Sequence, residues 1–132
     1  LHRVDRRQRQ MCIRDRIAAA IGNHDEGTAA AVSPIAAALI LSDKGDVRRT
    51  RVRDKETVSA DIHDRVNYAV EHAATEIDPE HKTATLVISI DTEICPVMEY
   101  FEIFMSRMVL CRRAAKYLGL QFELIINDTR LL

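Results

Sequence analysis

The stretch Thr83–Met98, T-A-T-L-V-I-S-I-D-T-E-I-C-P-V-M, constrains this chain more than any other. Its first half, Thr85 to Ile90, is a short apolar run rich in β-branched residues and reads as a buried strand. Asp91-Thr92-Glu93 then form a polar turn. A helix is expected from about Pro96, because proline fits a first helical turn, where its missing N–H costs nothing. A strand that opens onto a helix N-terminus with Cys95 at the junction brings backbone donors, a helix dipole and a thiol together. Chemistry is expected there first.

The flanking segments supply further expected elements. Ile35 to Leu41, I-A-A-A-L-I-L, is a continuous apolar run between Pro34 and Ser42-Asp43-Lys44-Gly45, and its length and flanks predict a buried strand. The D-K-G-D turn then predicts a hairpin into Val47–Arg53, whose arginines would form the wet face of an edge strand. Asp61 starts a helix expected to run to Ile77, with Ile62, Val66, Ala69, Val70, Ala73 and Ile77 on one face. After the central strand, a long helix is expected from Pro96 to about Leu118, stopped by Gly119, and then a last strand, Leu120–Ile126. Met98, Met105 and Met108 read as core packing. Near the start, Ile17–Ile21 is a helical piece broken at Gly22-Asn23, and Thr28–Val32 a second short helix ended by Ser33-Pro34.

Strands joined through helices imply parallel pairing by right-handed crossovers, with the hairpin added antiparallel at one side. The predicted fold is an α/β sandwich with a mixed sheet of about four strands.

The segment Val4–Arg16, V-D-R-R-Q-R-Q-M-C-I-R-D-R, resembles the conceptual translation of a transposon-type sequencing adapter, with Met11-Cys12-Ile13-Arg14-Asp15-Arg16 carrying the match. Residues 1–16 are therefore set apart, and 17–132 are read as one domain, with truncation at one or both ends left open. The separation matters for charge. The whole chain has 19 basic and 20 acidic residues; residues 1–16 hold six Arg and two Asp, which leaves 13 basic and 18 acidic residues and a net of −5. An acidic remainder has no footprint for nucleic acid. No apolar run reaches the roughly 18 residues of a membrane span, so a cytoplasmic protein with reduced thiols at Cys12, Cys95 and Cys111 is expected.

The order of these elements, with I-H-D-R-V-N opening one helix and T-E-I-C-P-V-M leading into the next, resembles the zinc-dependent cytidine and deoxycytidylate deaminases. Their signature places H-A-E or C-A-E at one helix start and P-C-x-x-C at the next. The resemblance puts His63 and Cys95 on metal-ligand positions, 32 residues apart, and Asn67 on a pocket position. It also implies a Zn²⁺ cofactor, a free nucleoside or nucleotide as partner, and a homo-oligomer.

The departures fall on the chemistry. Arg65 stands where the family has its proton-shuttling Glu, and a guanidinium has no acceptor for that task. Met98 stands for the second Cys and Ile94 for the Pro before the first. A neutral thioether does not suit zinc, which favours thiolate, imidazole and carboxylate. Glu93 and Asp64 are the candidate substitutes as ligand or base, and Arg65 with Asn67 the candidate nucleotide contacts. The sequence therefore predicts a deaminase-like domain that has lost deamination and serves as a nucleotide-binding or assembly module, with no bound cofactor. Two alternatives stay open: an active zinc deaminase with an altered site, and an unrelated α/β binding module. In the plainest reading His63 is an exposed helix residue and Cys95 a small buried hydrophobe.

Overall fold

The computed structural model describes residues 2–52, 58 and 60–132, with side chains from residue 7 onward. Among these residues the chain is mixed α/β. Its helices are α1 (His2–Gly22), α2 (Pro34–Lys44), α3 (Ile62–Ala69) and α4 (Val97–Tyr117). Its strands are β1 (Val70–Asp78), β2 (Thr83–Ile90), β3 (Gln121–Ile126) and β4 (Thr129–Arg130), forming one sheet in the order β1-β2-β3-β4. The β1–β2 and β3–β4 pairs are antiparallel, and β2–β3 is parallel, joined through α4.

The centre follows the sequence expectation. Alternate residues of β2 (Ala84, Leu86, Ile88 and Ile90) are buried, and in register beside them lie Phe122, Leu124 and Ile126 of β3. Helix α4 packs across this face through Tyr100, Phe104, Met108, Cys111 and Ala115. Pro96 occupies its N-cap position, and Gly119, at φ +75°, provides the left-handed residue that turns the chain out of the helix into β3.

The expected leading hairpin is replaced by helix. Ile35–Leu41 lies within α2, and the Val47–Arg53 stretch carries a single 3-10 turn at Arg49–Arg51, Arg53 falling outside the described residues. The physical reason is local. Ser33 caps the helix by accepting from the Ala36 N–H at 3.1 Å, Pro34 sits in the first turn, and three alanines follow. Gly45 ends α2 where a Cβ would lie 2.7 Å from Thr75 Oγ1, so α2 approaches β1 more closely than any side chain would allow.

The helix expected from Asp61 to Ile77 is half helix and half strand. Asp61 caps it as expected, accepting from His63 N–H at 2.7 Å. The helix stops at Ala69, and Val70 to Asp78 run extended against β2, with a bulge between Val70 and His72. Pairing Ala73, Thr75 and Ile77 opposite Ile88, Leu86 and Ala84 gives the central strand a second neighbour, which overrides the helical spacing. The β1–β2 turn is held by Asp78 Oδ1, which accepts from the N–H groups of Glu80 (2.9 Å) and His81 (3.0 Å). The Thr28–Val32 helix is also absent; that stretch is turn and irregular chain. Helix α1 does end at Gly22 as expected, but it runs on upstream through the adapter-like segment.

Candidate functional site

The carboxyl ends of the parallel strands β2 and β3 are where an α/β sheet places ligands. Here that end is occupied by protein. Asn127, in the left-handed turn between β3 and β4, accepts from the Ile90 N–H at 2.7 Å and donates to the Ile90 carbonyl at 2.9 Å. The side chain thus behaves as a further strand residue and seals the end of β2. Asp91 continues the closure: its N–H donates to Ala69 O at 2.9 Å, and its carbonyl accepts from the Ile94 and Cys95 N–H groups, each at 3.2 Å.

Cys95 sits beneath this turn with no solvent exposure. Its thiol lies 3.3 Å from the Pro96 carbonyl and 3.5 Å from Glu99 Oε2. The same Glu99 oxygen accepts from Arg65 Nε at 2.8 Å, which fastens the N-terminal part of α4 to α3. Burial, then the hydrogen bond and negative charge of Glu99, push the Cys95 thiol up to about 11, with Arg65 pulling the other way. The hydrogen bond from Arg65 holds Glu99 below the ordinary carboxylate value despite some desolvation. At neutral pH the cluster is an ion pair beside a protonated thiol.

The sequence-derived candidates divide around this cluster. Arg65 and Cys95 are brought together, through Glu99. His63 is exposed on the first turn of α3, and Asn67 turns back on its own helix, its Nδ2 donating to the His63 carbonyl at 2.8 Å. Asp64 is half-buried on α3, and Glu93 is exposed on the turn, its N–H donating to Asp91 Oδ1 at 3.0 Å. Among the described residues no group of three or more His, Cys, Asp or Glu side chains is arranged to hold a metal ion. As placed, the junction does not fit zinc: the carboxylate nearest the thiol is already neutralised by a guanidinium, whose positive charge would oppose a divalent cation.

Two residues central to this end escape the sequence reading. Glu99 lies one turn beyond Cys95, and the i, i+4 spacing was the available signal. Asn127-Asp128, between two short strands, is a turn pair in which both residues take positive φ (46° and 62°), the signature of a type I′ hairpin. The methionines differ from expectation as well. Met108 is core, but Met98 and Met105 are 73% and 52% exposed, because α4 buries the side that meets the sheet, α2 and α3, and these two lie outside it. Open depressions lie away from the junction. One of about 1070 Å³, lined in part by Glu76, Asp78, Thr83, Gln121, Glu123 and Arg130, sits at the opposite end of the sheet.

No family model, no curated protein and no solved structure matches this chain. No helix among the described residues is long and apolar enough to cross a membrane.

Proposed function

We propose that the chain is a non-catalytic α/β module, deaminase-like at its β2–α4 junction, that serves in nucleotide binding or assembly and does not deaminate. The observation that carries this reading is the shared oxygen of Glu99, which takes both the Arg65 guanidinium and the Cys95 thiol. A deaminating centre needs a thiolate free for metal and a carboxylate free to move a proton. Here both groups are spent on each other and on Arg65.

The test is metal content and turnover of the purified full chain. The expected result is well under one zinc per chain and no release of ammonia from cytidine or deoxycytidylate. Stoichiometric zinc that disappears in His63→Ala would overturn the reading in favour of an altered but active deaminase. Titration with cytidine monophosphate then separates the two non-catalytic roles, because only the nucleotide-binding role gives a saturable signal.

One observation favours a second reading, a module without deaminase ancestry. The antiparallel hairpin of the sheet, β1–β2, follows α3, whereas the resemblance rests on a hairpin that precedes that helix. Both readings make the same forecast for zinc and turnover.

A further inference from the structure

Helix α4 carries a stripe that its own fold does not cover. Met98, Glu102, Met105, Val109, Arg112 and Lys116 recur at alternating steps of four and three, which at about 100° per residue keeps them within roughly an 80° sector. All are exposed except Val109, which is half-buried. The stripe is polar in a directional sense. Its N-terminal part is apolar with one acid, and its C-terminal part is basic. Among the described residues Glu102, Arg112 and Lys116 enter no ion pair.

We propose that this stripe is a docking surface for a second copy of the same chain, with the two α4 helices antiparallel about a two-fold axis passing beside Arg107. Positions equally far from residue 107 then face each other. Met105 of each copy meets Val109 of the other, Glu102 meets Arg112, and Met98 lies along the aliphatic stem of Lys116. Every layer occurs twice, as an isologous interface requires. The parallel arrangement is disfavoured by the same residues, since it sets Glu102 against Glu102 and Arg112 against Arg112. The helix dipoles add to the preference, because side-by-side dipoles attract when antiparallel and repel when parallel.

A seam of one helix is small beside the roughly 1,600 Å² of a standard interface, so the dimer should form at about micromolar concentrations rather than nanomolar ones. The inference rests on the assembly arm of the function proposed above. Sedimentation equilibrium of the full chain between roughly 1 and 300 µM tests it, in the range where such a small interface associates. The expected result is a monomer–dimer equilibrium weakened at least about tenfold by Glu102→Arg or by Arg112→Glu, because each reversal sets like charges against each other. The double reversal, Glu102→Arg with Arg112→Glu, should return association to near the parent value. A monomer throughout, a dimer indifferent to the single reversals, or a double variant that is not rescued would each overturn the proposal. These surface changes leave the Arg65–Glu99–Cys95 cluster intact. Zinc content and turnover therefore report separately on whether the domain deaminates.

Discussion

Two carboxylates bracketed by partners fasten this molecule, one between its helices and one at the junction where chemistry was expected. Glu26 Oε2 accepts from Lys44 Nζ at 3.1 Å, and its Oε1 accepts from Arg107 Nε at 2.7 Å, tying the loop after α1 to α2 and α4. Glu99 accepts from Arg65 and lies against the Cys95 thiol, tying α3 to α4. The two differ in one cation. The Lys44 side chain is 4% exposed, whereas those of Arg107 and Arg65 are 25% and 26%. The first cluster is structural by any reading, since it lies within the helical layer and away from strand ends. The second has the same construction but no buried cation: Arg65 is as exposed as Arg107, and nothing in it matches Lys44. The comparison teaches that a cysteine, a carboxylate and a cation at a strand–helix junction can be a fastening rather than a catalyst.

The larger effect is expected at Glu26. Replacing it with Gln removes the charge and one of the two acceptor oxygens, so that either Lys44 or Arg107 loses its hydrogen bond and Lys44 keeps only Asp43, at 2.7 Å, as a charged partner. A loss of about 1–2 kcal/mol is expected in urea unfolding at pH 7, the low end for a broken buried pair because Glu26 is itself about a third exposed and Asp43 remains. The acid limb sharpens this. Desolvation raises the Glu26 carboxyl, but its backbone hydrogen bond, Lys44 and Arg107 outweigh it and hold the group at about 2 against an ordinary 4.5. A depressed carboxylate contributes stability that is full above 4.5 and is lost as the pH falls from there through about 2. The parent should therefore weaken over that window, and Glu26→Gln should flatten this part of the profile.

A smaller effect is expected at Glu99. Glu99→Gln should lower the melting temperature by less than Glu26→Gln does, because Arg65 is 26% exposed and keeps water where the buried Lys44 does not. It also removes the carboxylate charge that helps keep the Cys95 thiol protonated. Alkylation of Cys95 in the native state should then quicken severalfold, while Cys111, which burial in the core pushes up to about 12, should not change. Equal or greater destabilisation than Glu26→Gln would break the comparison, making the junction the principal fastening.

Much of the crossover unit was legible in the sequence, and the periphery was not. Thr85–Ile90 and the helix after Pro96 announce themselves because one is a β-branched run and the other is long and bounded by Pro96 and Gly119. Ile35–Leu41 misleads because an apolar run of seven fits a buried strand as well as a buried helix, and only Ser33, Pro34 and the alanines tip the balance. The run from Val70 to Ile77 misleads for another reason. Its apolar residues fit helical spacing, but β2 offers it a ladder of backbone hydrogen bonds that no local pattern reveals. At the junction, Cys95 and Arg65 were singled out from a motif, whereas Glu99, which unites them, belongs to no motif. Asn127 acts across 37 residues of sequence, and such a contact is visible only once β3 lies beside β2.

The smallest effect is expected where the chain is least fastened. Residues 7–19 of α1 are exposed throughout, and Ala20, which follows them, is buried at 1%. Deleting residues 1–16 should therefore change stability by less than about 0.5 kcal/mol, the range of surface changes away from packed features. What remains of α1, Ile17–Gly22, is too short to stand alone as a helix. It keeps two side-chain ties at its end: Asn23 Nδ2 donates to Ala19 O at 2.8 Å, and His24 Nδ1–H donates to Ile21 O at 2.5 Å. Circular dichroism should accordingly lose helix signal from the deleted turns while the melting temperature stays within a few degrees of the parent. A fall as large as that of Glu26→Gln would mean that the adapter-like segment supports the α1–α2 contact. The fastening at Glu26 would then have a second component lying outside residues 17–132.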